Sequence, residues 1–201
     1  MALKYAVNNS LSAITSLPSG ISGGALNLIS TQTASSSASI SFTSGIDSTY
    51  DSYVFKFYNI HPATDNVKFT FNMSTDGGSN YNVTKTSTAF FSRHSEADTN
   101  DLLLYGVDDD LAQSTAFQPL MNRLGNGSDE NLSGTLQLFN PSSTTFVKHF
   151  ISDTNSYSDN DISYEWFMAG YGNTTSAVNA IQFKMSSGNI DDGIIKMYGV
   201  A

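Results

Sequence analysis

Tyr53-Val54-Phe55-Lys56-Phe57-Tyr58 and Val67-Lys68-Phe69-Thr70-Phe71-Asn72-Met73 alternate apolar and polar side chains with a period of two. A β-strand sends successive side chains to opposite faces, so this period marks strands with one buried and one wetted face. Similar runs, each closed by a turn signal, continue to the end of the chain. They place strands near residues 25 to 32, 38 to 44, 51 to 60, 66 to 74, 81 to 90, 101 to 106, 115 to 124, 132 to 140, 144 to 152, 162 to 171, 178 to 185 and 193 to 200. So many short strands in one domain imply two packed antiparallel sheets, an all-β sandwich.

The punctuation supports this layout. Ser74-Thr75-Asp76-Gly77-Gly78-Ser79-Asn80 carries the Asp-Gly and Gly residues that positive φ angles favour and reads as a hairpin tip. Asn140-Pro141-Ser142-Ser143 and Asn189-Ile190-Asp191-Asp192-Gly193 read the same way. Of the four prolines only Pro119 falls inside an expected strand, so that strand belongs at an edge or is bulged. Ahead of it, Asp108 to Leu124 has poor helical spacing and is expected to be irregular chain followed by the strand. Residues 1 to 24 differ from the rest. Isolated apolar residues, Leu3, Tyr5, Leu11, Ile14 and Leu17, lie among Ser, Thr and Asn, and Pro18, Gly20, Gly23 and Gly24 follow. This segment reads as an extended arm ahead of a single domain over residues 25 to 201.

Composition narrows the functional classes. At 201 residues, 39% hydrophobic and 12% aromatic, the chain can bury a full core, yet only 13% of it is charged. Ser, Thr and Asn occupy strand positions where Lys and Glu are usual, a surface suited to sugars or neighbouring subunits. The formal net charge of -9, with nine Lys and Arg in all, disfavours duplex nucleic acid and anionic membranes. The chain contains no cysteine, which removes disulfides and thiolate metal sites. The N-terminus lacks the apolar run of a signal peptide, and a soluble product made in the cytoplasm is expected.

No cofactor or metal is expected, because no set of ligands stands at a recognisable spacing. His61, His94 and His149 are the only histidines, and His61, before Pro62 at a strand end, reads as a turn hydrogen-bonding group. Asp108-Asp109-Asp110 and the run Asp153 to Asp161 concentrate oxygen ligands but do not match an EF-hand, and they read as solvated loops. A glycosidase pair would have to come from Glu96, Glu130, Glu165 and these aspartates. Gly23-Gly24 and Gly77-Gly78 lack the Gly-Lys-Ser/Thr of a phosphate loop. Tyr164, Trp166 and Met168 share one face of a strand, and Phe167, Ala169 and Tyr171 share the other. This is the pattern of a central strand buried on both sides, with Trp166 in the core. The loop that follows residue 152 is left as the candidate contact surface, through Asp153, Asn155, Tyr157, Asp159 and Asn160.

Several stretches together resemble small virion proteins of tailed phages, especially marine ones infecting cyanobacteria and related hosts. They are Phe42 to Tyr50, Asn59 to Asp65, Ser74 to Tyr81, Leu132 to Pro141 and Gly193 to Val200. The likeness covers most of residues 30 to 201 and consists of turn and strand sequences. It implies a jelly-roll-like module of head decoration, head fibre or tail fibre and knob type, commonly homotrimeric, and it brings no catalytic residues. In that setting the protein is expected in the virion, assembled in the host cytoplasm. There the arm would dock on major capsid or tail components by ordering on a neighbour. A tip that recognises host-surface glycan is the alternative expectation, and a polysaccharide depolymerase a weaker third.

Overall fold

A computed structural model describes residues 25–158 and 161–201 of the chain. The expected arm, with Leu3, Tyr5, Leu11, Ile14 and Leu17, lies outside the described residues, as do Asp159 and Asn160. The described chain is all-β: β1 (Leu26–Ser37), β2 (Ile40–Phe42), β3 (Ser52–Pro62), β4 (Val67–Ser74), β5 (Lys85–Ser95), β6 (Asp101–Tyr105), β7 (Gln118–Leu124), β8 (Asn131–Phe139), β9 (Lys148–Ser158), β10 (Ile162–Gly172), β11 (Ala180–Met185) and β12 (Ile190–Val200). Eight strands form one sheet in the order β1-β12-β3-β8-β9-β10-β5-β6, and four form a second in the order β2-β11-β4-β7. Neighbouring strands in both sheets pair antiparallel.

The two stretches that announced the fold become β3 and β4, one in each layer, and their alternation builds the core between the layers. Tyr53, Phe55 and Phe57 of β3 and Val67, Phe69, Phe71 and Met73 of β4 are buried. Phe183 of β11 joins the layers. Its ring centroid lies 5.5 Å from Phe55, 5.3 Å from Phe57, 5.9 Å from Phe69, 6.3 Å from Phe42 and 6.4 Å from Phe71. Phe57 meets Phe69 at 5.2 Å, and Phe71 meets Phe150 of β9 at 5.1 Å. Offset and edge-to-face ring pairs at these distances add to the burial of their area.

The turn signals mark chain reversals but not always hairpins. Asn140-Pro141 does close one, since β8 and β9 are neighbours with Leu138 opposite Phe150. The Asp76-Gly77-Gly78 turn does not: β4 belongs to the small sheet and β5 to the large one, so residues 75–84 carry the chain between layers. Its local chemistry is still that of a tight turn. Gly77 and Gly78 have φ of 72° and 90°, and the Asp76 carboxylate accepts from the Ser74 hydroxyl and from both nitrogens of Asn80. Residues 186–189 likewise join β11 to β12 across the layers, and Gly193, at φ 129°, sits at the register shift inside β12. Local φ requirements specify a reversal; the length of the connection and the apolar faces on either side decide which strand is met next.

Pro119 lies in β7, the edge strand of the small sheet, and the β7 register against β4 is irregular on both sides of Met121. An imino nitrogen without a hydrogen is tolerated at that position and not in a central strand. Residues 106–117 before β7 are irregular apart from one isolated bridge at Ser114.

Candidate functional site

The eight-stranded sheet has twice the strands of the four-stranded one, and among the described residues no further layer covers its outer face. In β10 the inward side chains Tyr164, Trp166 and Met168 are buried, with Trp166 stacked on Phe91 at 4.5 Å. The outward ones, Glu165, Phe167 and Tyr171, are half-buried, and Ala169 is exposed. The core placement of Trp166 therefore holds, whereas burial on both sides of this strand does not: among the described residues no layer covers its second face.

Strand register sorts that face into rows. His149, Tyr171 and Thr86 lie side by side on β9, β10 and β5; Ile151, Ala169 and Thr88 form the next row; Asp153, Phe167, Phe90 and Tyr105 the third; Asn155, Glu165, Ser92 and Leu103 the fourth. The rings of Phe167 and Phe90 stack at 4.8 Å, and those of His149 and Tyr171 lie 6.2 Å apart. Over the first two rows, where Gly170 has no side chain and Ala169 a small one, lies a trough of about 400 Å³ lined by Thr86, Thr88, His149, Ile151, Ala169 and Tyr171.

Asp153, Asn155 and Tyr157 are not in a loop. They are outward residues of β9, which runs to Ser158 before the chain turns into β10. The strand escapes notice because its inward positions are hydroxylic, and the small sheet satisfies them through the edge strand β7. Thr154 Oγ1 donates to the Leu120 carbonyl at 2.7 Å, Ser158 Oγ donates to the Arg123 carbonyl, and Ser156 Oγ donates to Met121 Sδ at 3.4 Å. A buried hydroxyl is stable only with such a partner, so polar residues here face the core without cost to the strand.

The structure brings together one carboxyl pair that the spacing could not. Asp153 stands opposite Phe167 and Glu165 opposite Asn155, which makes the two acids diagonal neighbours on the outer face. Burial, and next the Asp153 carboxylate with which it shares a hydrogen bond, push the Glu165 carboxyl up to about 7. Glycosidase carboxyls stand about 5 to 9.5 Å apart to admit a sugar or a water, and a hydrogen-bonded pair leaves no such gap. Tyr157 donates to Asp161 at 2.7 Å, and that bond, followed by burial, pushes the phenol up to about 12.

Several other acidic and imidazole groups are engaged within the fold. The buried Asp109 carboxylate lies 2.7 Å from Lys68 Nζ and accepts from Asn122 Nδ2 at 3.1 Å, while Asp110 accepts from the Tyr105 hydroxyl at 2.7 Å. His61 Nε2 is 3.1 Å from the Gly127 carbonyl, a bond to a distant loop, with Asp191 3.7 Å from its other nitrogen. His94 pairs with Asp98 at 3.0 Å. Among the described residues no three His, Cys, Asp or Glu side chains are placed to share a metal ion.

Two buried lysines had no signal in the sequence, because a lysine in a strand ordinarily points to water. Lys85 and Lys148 stand on either side of Gly172, paired to it from β5 and β9. Lys85 Nζ donates to Asn72 Oδ1 at 2.5 Å and to the Val83 carbonyl at 2.8 Å, and burial pulls its pKa down to about 7. Lys148 Nζ donates to the Phe146 and Thr174 carbonyls at 2.6 and 3.2 Å, and burial lowers its pKa too. Asn72 is saturated, its Nδ2 donating to the Tyr81 and Thr115 carbonyls and its Oδ1 accepting also from the Met73 amide.

No protein family, curated protein or solved structure matches the chain.

Proposed function

We propose that this chain is a non-enzymatic accessory protein of a phage virion, a head decoration or a fibre or knob component, that works by packing against other subunits. One observation carries the reading. Of the ten large apolar side chains exposed among the described residues, five gather at one margin: Phe90, Leu103, Leu104, Tyr105 and Val107. Leu103 and Val107 are 68% and 72% exposed. The margin is the β6 edge of the large sheet, where one side of the strand has no partner among the described residues. An unpaired edge with apolar residues on both faces invites association, and proteins that stay alone usually blunt such an edge with charge. Only Asp101 is charged in β6. A surface with few charges elsewhere supports repeated subunit contacts, where an unpaired buried charge would be costly.

In this reading the copies assemble as a homotrimer through the β5–β6 margin, and residues 1–24 dock the assembly on a capsid or tail protein. The sequence likeness to small phage virion proteins supports the setting. Deleting residues 1–24 tests the docking step: the truncated chain keeps the cooperative unfolding of the full one but no longer copurifies with particles. Attachment retained by the truncated chain overturns the role of the arm. A second reading, recognition of a host-surface glycan, is favoured by the trough over Ala169.

A further inference from the structure

Resting on that second reading, we propose that the trough over Ala169 takes one neutral hexose unit of a surface polysaccharide. Tyr171 and Phe167 lie four residues apart on the same face of β10, about 13 Å along the strand, with Ala169 midway. The lining is Ala169 with Thr88 and Ile151 beside it, and Tyr171 with His149 and Thr86 at one end; the stacked Phe167 and Phe90 stand in the next row beyond it. A pyranose has an apolar C–H face and a rim of hydroxyls. It therefore fits a hollow of small and apolar residues that has aromatic rings and unengaged polar atoms at one end. The Tyr171 hydroxyl and both His149 ring nitrogens bond to no described residue, and the Asp153 carboxylate stands in the Phe167 row. The volume, about 400 Å³, is at the low end of ligand pockets, roughly 300–1,000 Å³.

Charge selects the class of sugar. No charged side chain lines the trough, Asp153 stands in the Phe167 row beyond it, and the chain carries a net charge of -9. Sialylated, uronic or phosphorylated sugars would find no cation in the lining and would meet the like charge of the chain, whereas neutral hydroxyls need no ion pair.

The test is an array of immobilised neutral gluco-, galacto- and manno-oligosaccharides beside sialylated and phosphorylated ones, probed with the full chain and repeated with two variants. Ala169→Trp fills the floor from an exposed position, and Tyr171→Ala removes one wall. Thermal melting accompanies each variant. The expected result is retention on at least one neutral series, weakened tenfold or more by both variants at unchanged melting temperature, and none on the charged series. If Ala169→Trp alone fails to fold, Tyr171→Ala decides. Retention on charged glycans only would overturn the neutral-hexose assignment while leaving glycan recognition standing. Retention on none would overturn both, and retention insensitive to the folded variants would overturn the trough as the site.

Discussion

Replacing Lys85 by methionine should flatten the dependence of stability on pH above neutrality. In the folded chain, burial lowers the Lys85 pKa from 10.5 to about 7, while the unfolded chain keeps the ordinary value. Between those two values the unfolded state binds a proton that the folded state does not, so stability rises with pH through the window. Below about pH 7 both states carry the charge and the contribution is constant. The full difference, 10.5 - 7 = 3.5 pH units at about 1.36 kcal/mol each, sets a ceiling of about 5 kcal/mol. Only part of the window is clean, because tyrosines begin to titrate near pH 10. From about pH 7.5 to 9 the Lys85 share is about 2 kcal/mol. Lys148, lowered in the same direction by burial, adds to the slope, so a Lys85→Met/Lys148→Met double variant should be flatter than either single one. Methionine keeps most of the volume but takes one donor from Asn72 Oδ1 and one from the Val83 carbonyl, which costs about 1–3 kcal/mol at every pH. Urea unfolding followed by fluorescence of Trp166, the single tryptophan and only 3% exposed, reads both quantities. An unchanged slope in Lys85→Met, or wild-type stability that falls from pH 7.5 to 9, would refute the reasoning.

Phe183→Ala removes the ring that five other rings contact across the two layers, and should cost about 3–5 kcal/mol in the same unfolding assay; a loss below about 1 kcal/mol would mean that the layers are not joined there. A carbon-detected NMR titration should place the Glu165 midpoint near 7, and Asp153→Asn should lower it while leaving it above the ordinary carboxylate value, since burial is the larger cause. Because the folded state holds that proton longer than the unfolded one, the Glu165 contribution to stability is lost as pH climbs from about 4.5 through 7, and Glu165→Gln should be free of this loss.

What the sequence displayed was the part of the fold written in apolar alternation. Phe55, Phe57, Phe69 and Phe71 identify β3 and β4 because only the core side of those strands is apolar. Pro119 identifies an edge because its missing N–H excludes it from a ladder's interior. Three things were hidden for physical reasons. The inward face of β9 is Ser152, Thr154, Ser156 and Ser158, which reads as loop until β7 and the β8 carbonyls supply hydrogen-bond partners. Lys85 and Lys148 read as outward residues because their acceptors are backbone carbonyls and Asn72, distant in sequence or without any residue-type signal. The candidate trough depends on Ala169 and Tyr171 sharing the outer face of β10 and on which residues β9 and β5 place beside them, and register between distant strands is not visible in one strand's pattern. The residues Asp153, Asn155 and Tyr157, read from the sequence as a loop, are outward residues of β9.

The central claim, that this module works by packing against copies of itself through the β5–β6 margin, meets its most direct test in sedimentation equilibrium of the full chain beside Leu103→Lys. A lysine at this exposed edge position leaves the core untouched, so Trp166-monitored unfolding should not change. The account predicts a trimeric mass for the natural chain and a monomeric mass for the variant. A natural chain that stays monomeric at high concentration, or a variant that remains trimeric, would contradict it.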